Sequence, residues 1–158
     1  MVTIAMDDLP DYQKLKNTAI YYLSRREYSK QELLDKLYRK YGNTSFTEKL
    51  LNDLETDGLQ DDERFTEVFV RYRIGQGKGP MKIQQELKQK GISGELVDTY
   101  LDFDESYWVE RAKELLDRKF SALSCDDLKA KAKKVRFLVS RGFSYSCVIS
   151  AIDHFSAA

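Results

Sequence analysis

The chain offers few side chains for covalent or acid–base chemistry. It has one histidine, His154, four residues from the end of the sequence, and two cysteines, Cys125 and Cys147. A histidine at that position reads as a surface residue of a terminal helix rather than the base of a triad. A reactive thiol needs a neighbouring base and a depressed pKa. Cys147 sits among apolar residues at helical spacing and is expected in the core, whereas Cys125, among Ser and Asp, is expected at the surface. Neither cysteine has a His or Cys neighbour at metal-ligand spacing, so no zinc motif and no disulfide framework is legible.

Two other constellations invite a chemical reading. Gly75-Gln76-Gly77-Lys78-Gly79-Pro80 looks like a phosphate loop, but a Walker loop needs four residues between Gly and Gly-Lys, a Ser or Thr after the Lys, and a preceding strand. None of these is met, and the segment is expected to be a flexible helix connector with Lys78 exposed. Asp61-Asp62-Glu63 could attract a divalent cation, yet successive helical residues point about 100° apart and do not converge. These three are expected to cap a helix start, where negative charge is favoured. No cofactor, no metal and no enzymatic activity is expected.

What remains is cationic. The chain is neutral overall, with 26 Lys+Arg against 26 Asp+Glu, but the balance is uneven. Leu128 to Ile152 contains six basic residues and no acidic one, and Arg71 to Lys90 has six basic residues against Glu86 alone. Either cluster by itself reads as a solvated helix face. Two clusters of one sign in a neutral chain favour an anionic partner, either a nucleic-acid backbone or an acidic protein surface. The residues expected to face it are Arg71, Arg73, Lys78, Lys82 and Lys90 in the first cluster, and Lys133, Arg136 and Arg141 in the second.

The elements that must position these cations are helices. Apolar residues recur at the 3.6-residue period throughout: Leu33, Leu34, Leu37, Tyr38 and Tyr41; Leu50, Leu51 and Leu54; Phe65, Val68, Phe69 and Tyr72; Ile83 and Leu87; Trp108, Ala112, Leu115 and Leu116; Val135, Leu138 and Val139; Val148, Ile149, Ile152 and Phe155. Ser29-x-x-Glu32 and Ser45-x-x-Glu48 have capping-box form. Gly42, Gly58, Gly91 and Gly142 stand where helices should stop, and Pro80 where one should begin. About nine helices are expected.

These helices repeat. A shift of about 50 residues places Leu33 on Ile83 and Leu37 on Leu87. The next shift places Lys90 on Arg141, Gly91 on Gly142 and Val97 on Val148. The expected organisation is an N-terminal tail (1–13) and three tandem three-helix units, 14–60, 61–105 and 106–158, all-α and either stacked as an elongated array or folded as one compact bundle. The longest uninterrupted apolar run, Ala19 to Leu23, is far short of the roughly 20 residues a membrane span needs. The acidic N-terminus lacks the form of a secretory signal. A cytoplasmic monomer is expected.

The stretch Leu54-Glu55-Thr56-Asp57-Gly58-Leu59-Gln60-Asp61-Asp62-Glu63-Arg64-Phe65, followed by Val68 to Arg73, Gly77 to Ile83 and Glu86 to Ile92, closely resembles the core of the RecX family, regulators of the bacterial RecA recombinase. Ala19 to Leu37 is similar to that family's opening segment and Lys131 to Phe143 to its closing one. Thr66 departs from the pattern, where a small apolar residue is expected. The resemblance implies three tandem three-helix repeats in an elongated and curved all-α molecule, and binding in the groove of the RecA–DNA filament. It also implies inhibition of ATP hydrolysis, strand exchange and co-protease activity, and so a place in DNA repair, homologous recombination and the SOS response. Single- or double-stranded DNA within the filament would be a further contact. Two other classes stay open: a stand-alone DNA-binding helical protein, and a helical-repeat scaffold for a different protein.

Overall fold

The structure, a computed structural model, describes residues 11–120 and 128–156. Among these residues every regular element is an α-helix. In chain order they are α1 (Tyr12–Arg25), α2 (Lys30–Tyr41), α3 (Ser45–Thr56), α4 (Asp62–Gly75), α5 (Pro80–Gln89), α6 (Gly94–Tyr100), α7 (Glu105–Phe120), α8 (Leu128–Ser140) and α9 (Tyr145–Ser156). The fold is all-α with tandem helical repeats. Residues 1–10 of the expected N-terminal tail, Cys125 and the side chain of Phe155 lie outside what is described, while Asp11, Tyr12 and Gln13 belong to the start of α1 rather than to a tail.

The ends of these helices follow from their residues. Asp11 caps α1, accepting from the Lys14 N–H at 2.7 Å. Ser29 and Glu32 form the expected capping box on α2. Asp61 accepts from the backbone of Glu63 and Arg64 and so caps α4, with Asp62 and Glu63 in the first turn of that helix. The second helix of each repeat (α2, α5, α8) ends at or just before a glycine of left-handed conformation, Gly42, Gly91 and Gly142, with φ of 76°, 76° and 101°. One expected cap is corrected. Ser45 is already the first residue of α3 and Thr44 is its N-cap, without a side-chain bond to the helix backbone. The Thr44 hydroxyl instead meets that of Thr47 at 2.9 Å, so the Ser45/Glu48 box does not form.

The described chain packs as two compact units. The first comprises residues up to Val68 together with Gln89–Ser93. Its core is Leu15, Ala19, Tyr28, Leu33, Leu37, Leu50, Leu51 and Leu54. The Gln60 side chain is fully buried here and donates to the Tyr28 carbonyl (3.2 Å) and to Asp62 Oδ1 (2.9 Å). That same Asp62 oxygen accepts from the Lys30 N–H, the first residue of α2, at 2.8 Å. Arg64 binds Glu27 at 2.7 Å and reaches back to the carbonyls of Gly58 and Leu59. Most of the Leu54–Phe65 motif is thus engaged in holding one turn. Thr66, the departure from the family pattern, is buried and donates to the Asp62 carbonyl at 2.7 Å, which satisfies its hydroxyl within its own helix.

The second unit comprises Phe69–Lys88 and the chain from Gly94 onward. Helix α9 packs on α7 and α8. Trp108, Ala112, Leu116, Leu138, Phe143 and Val148 are buried there, and the Trp108 and Phe143 rings meet edge-on at 6.3 Å. Two apolar stripes are only partly covered. Tyr72 on α4 and Val139 on α8 are 62% and 48% exposed, and Val68, the last residue of the first unit, is 47% exposed. The helical period groups residues on a face but does not say how much of that face a neighbour covers.

Candidate anion-binding face

Two glycine turns of the second unit meet. The Gly79 N–H donates to the Arg141 carbonyl at 2.7 Å, and the Met81 N–H donates to the Gly142 carbonyl at 3.0 Å. The approach is close enough that a Cβ on Gly79 would lie 2.5 Å from the Gly142 carbonyl carbon, and a Cβ on Gly142 would lie 2.5 Å from the Lys82 Cβ. A Cβ on Gly77 would lie 2.6 Å from a Leu115 methyl. The segment 75–80 is therefore not the flexible connector expected from its composition. Gly77 and Gly79 are buried and Lys78 is half-buried, a correction whose cause is the backbone pairing with the 141–142 turn.

This pairing brings members of both basic clusters together. Lys78 is held below the ordinary lysine value first by desolvation, then by the charges of Lys82, Arg141 and Arg73, with Glu86 opposing. Arg73 and Glu86 form a bidentate ion pair, Nε to Oε2 at 2.7 Å, with the second bond from Nη2 to Oε1. Four cations with one carboxylate among them leave a surplus of positive charge at this turn. The Arg141 guanidinium lies 5.2 Å from the centre of the Phe137 ring, and the Lys119 ammonium 4.4 Å from the same ring.

The other expected residues lie elsewhere. Arg71 is exposed on α4, and Lys133 and Arg136 are exposed on α8. Lys90 belongs to the first unit, where its ammonium binds Glu32 at 2.8 Å. Lys134, one of the six basic residues between Leu128 and Ile152, is buried at 3% exposure. Glu86 was visible in the sequence only as the one acid in a basic run. Its pairing with Arg73 across the Gly-rich turn required the α4–α5 geometry.

Cys147 is buried at 1% exposure, and burial followed by the charge of Glu105 pushes its thiol up to about 11. It is a core residue. His154 is exposed, with Nδ1 2.8 Å from the Ser150 carbonyl. Among the described residues no group of His, Cys, Asp or Glu is arranged to hold a metal ion, and no helix is long and apolar enough to cross a membrane.

Fold and site together define a class: an all-α tandem-repeat protein that presents cations on a turn tightened by paired glycines. Comparison with known proteins narrows it. Residues 16–43, 61–101 and 105–152 match the first, second and third three-helix domains of RecX, and the chain belongs to the RecX family. It is 34% identical over 139 residues to the regulatory protein RecX of Halorhodospira halophila, covering 88% of this chain and 86% of that one. It is 40% identical over 130 residues to that of Legionella pneumophila (strain Corby), covering 82% and 87%. The crystal structure of RecX from Lactobacillus salivarius superposes with a TM-score of 0.76 at 26% identity, covering 96% of this chain and 99% of that one.

Proposed function

We propose that this chain regulates a RecA recombinase by binding the RecA–DNA filament and inhibiting its ATP hydrolysis, strand exchange and co-protease activity. Family membership supports the regulatory role. The observation that carries a charged contact is the convergence of Arg73, Lys78, Lys82 and Arg141 at the paired turns, which assembles residues of two sequence clusters into one positive face. Such a face suits an anionic groove, because each neutralised phosphate releases counterions. With the whole chain neutral, the face contributes local attraction and orientation rather than strong association with bare DNA. Lys133 and Arg136 on α8 and Arg71 on α4 extend the set of cations assigned to the filament. Lys90, engaged by Glu32, serves the first unit's structure instead.

The test is the single-strand-stimulated ATPase of the matched-species RecA, titrated with this protein from well below one per recombinase subunit. Wild-type protein inhibits. Lys78→Glu combined with Lys82→Glu shifts half-inhibition to at least about tenfold more protein, the factor that a 1.4 kcal/mol loss produces. Absence of inhibition by wild type at any ratio rejects the reading. Equal inhibition by wild type and the double variant removes this face from it.

A further inference from the structure

A second concave surface, in the first unit, lies outside both basic clusters. It is an open cavity of about 500 Å³ whose positive lining is Arg26, Lys36, Arg39 and Lys40, with Tyr28 among them. Sequence counts conceal it, because residues 1–60 hold nine basic groups against ten acidic ones. Lys36, Arg39 and Lys40 stand at spacings of three and four on α2, and so on one side of it.

Two of these cations are fixed in place. The Arg26 guanidinium lies 3.6 Å from the centre of the Tyr28 ring, donates to the Glu27 carbonyl at 2.8 Å and reaches Glu32 at 3.3 Å. Lys36 donates to the Tyr28 hydroxyl at 3.0 Å and lies 4.2 Å from the Tyr22 ring centre. Burial raises the Tyr28 pKa, but the Lys36 hydrogen bond and the charges of Arg26 and Lys36 outweigh it and the net direction is down. Arg39 and Lys40 complete the rim as exposed side chains.

The cavity also contains two carboxylates. Glu32 receives Lys90, Arg26 and the Ser29 N–H, and Asp35 accepts from Gln31 at 2.9 Å. Glu32 is thereby neutralised locally and the cavity keeps a net positive sign.

We propose that this cavity binds a nucleic-acid strand through its phosphodiester backbone, without reading the bases. Tyr28 is 5% exposed and carries Arg26 against its ring, so no base can stack on it. The positive rim presents ion-pairing heads rather than an aromatic anchor for a protein partner to bury. The row of cations has the character of a backbone-tracking groove. This inference goes beyond the filament reading, since it requires no recombinase.

The test is amide and arginine-side-chain NMR of the full chain at low salt. Four probes are used: a mixed-sequence octadeoxynucleotide, an abasic phosphodiester octamer, inorganic phosphate and an octaglutamate peptide. Arg26 and Arg39 Nε–H signals and the Lys36–Lys40 amides should shift saturably with both phosphodiester octamers. Inorganic phosphate and octaglutamate should require at least about tenfold more ligand. Arg39→Gln with Lys40→Gln should raise the ligand needed for these shifts at least about tenfold while the thermal melt is kept, and should lower the log–log salt slope of the remaining single-strand binding by about 1.4. Lys14→Gln, an exposed cation outside the lining, should change neither the shifts at the cavity nor its ligand preference.

Absence of any shift at the cavity with the octamers overturns the proposal. So does an equal response to octaglutamate, or a response to the octadeoxynucleotide that the abasic octamer does not reproduce. RecA is absent from every arm, so failure here is distinguishable from failure of the ATPase test.

Discussion

Gly79 and Gly142 lie so close that a methyl group on either would penetrate the other's turn. Gly79 would strike the backbone of residues 142 and 143, and Gly142 would strike the backbone and Cβ of Lys82. Gly142 also carries φ of 101°. Two residues 63 positions apart in sequence therefore set the spacing of the cations attached to their turns.

Gly79→Ala is expected to destabilise the protein by about 1–3 kcal/mol, the usual cost of overpacking. Gly142→Ala adds a left-handed penalty of about 1–2 kcal/mol. Urea unfolding midpoints measure both. Gly42→Ala, with open space around its Cβ but φ of 76°, should show the conformational penalty alone.

Glu86→Gln separates stability from binding. Loss of the Arg73 partner should cost about 1–3 kcal/mol, the worth of hydrogen bonds to charged groups. The same change raises the positive charge around Lys78, so affinity for a polyanion should rise at low salt and fall more steeply as salt is added. Fluorescence anisotropy with a labelled oligonucleotide across a salt series decides it. A parallel fall in stability and low-salt affinity would show Glu86 to be structural only.

Glu32 gives an acid-side prediction. Desolvation raises its pKa, but hydrogen bonds from Lys90, Arg26 and the Ser29 N–H overcome this and leave it below the ordinary 4.5. A carboxylate depressed in the folded state contributes its stability in full above the unfolded value and loses it as pH falls through the folded one. Wild type should be more stable than Glu32→Gln near neutrality, with the gap closing as the carboxylate protonates below pH 4.5. Chemical unfolding at a series of pH values measures the gap.

Cys147 gives the alkaline counterpart. Its thiol, raised from 9.0 to about 11, favours folding fully below pH 9, and that contribution is lost as pH rises toward 11. At pH 8 a thiol-specific reagent should leave Cys147 unmodified in the native protein and modify it in urea. Peptide mapping keeps it distinct from Cys125. Rapid native labelling at Cys147 would contradict the buried placement.

The parts of the fold legible in the sequence were those set by local chemistry. The 3.6-residue period, the Ser29–Glu32 box, Pro80 and the glycine stops located the helices, and the apolar neighbours of Cys147 placed it in the core. What could not be read depended on distant backbone. Lys78 looks exposed in its own segment and is drawn in only because Gly79 bonds to Arg141. Lys134 is buried although Lys131, Lys133 and Arg136 around it are exposed. The candidate face was half legible: its residue types were evident, but which cations share a turn depended on the pairing of Gly79 with Gly142. The α2 cavity was hidden by charge counting, because Glu32 cancels Arg26 in a sum and accompanies it in space.

The closing segment of the first unit bears on how the chain is made. Ser29 donates to the Lys90 carbonyl, Glu32 receives the Lys90 ammonium, and Ile92 is buried. A chain emerging N-terminus first thus exposes α1, α2 and α3 long before the residues that complete their packing have been synthesised. Vectorial folding must leave this unit open until well over half the polypeptide exists. A fragment cut after residue 60, just before the matched second three-helix domain begins, would lack both Asp62 and Lys90. It would inherit an α2 whose start has lost two of its partners.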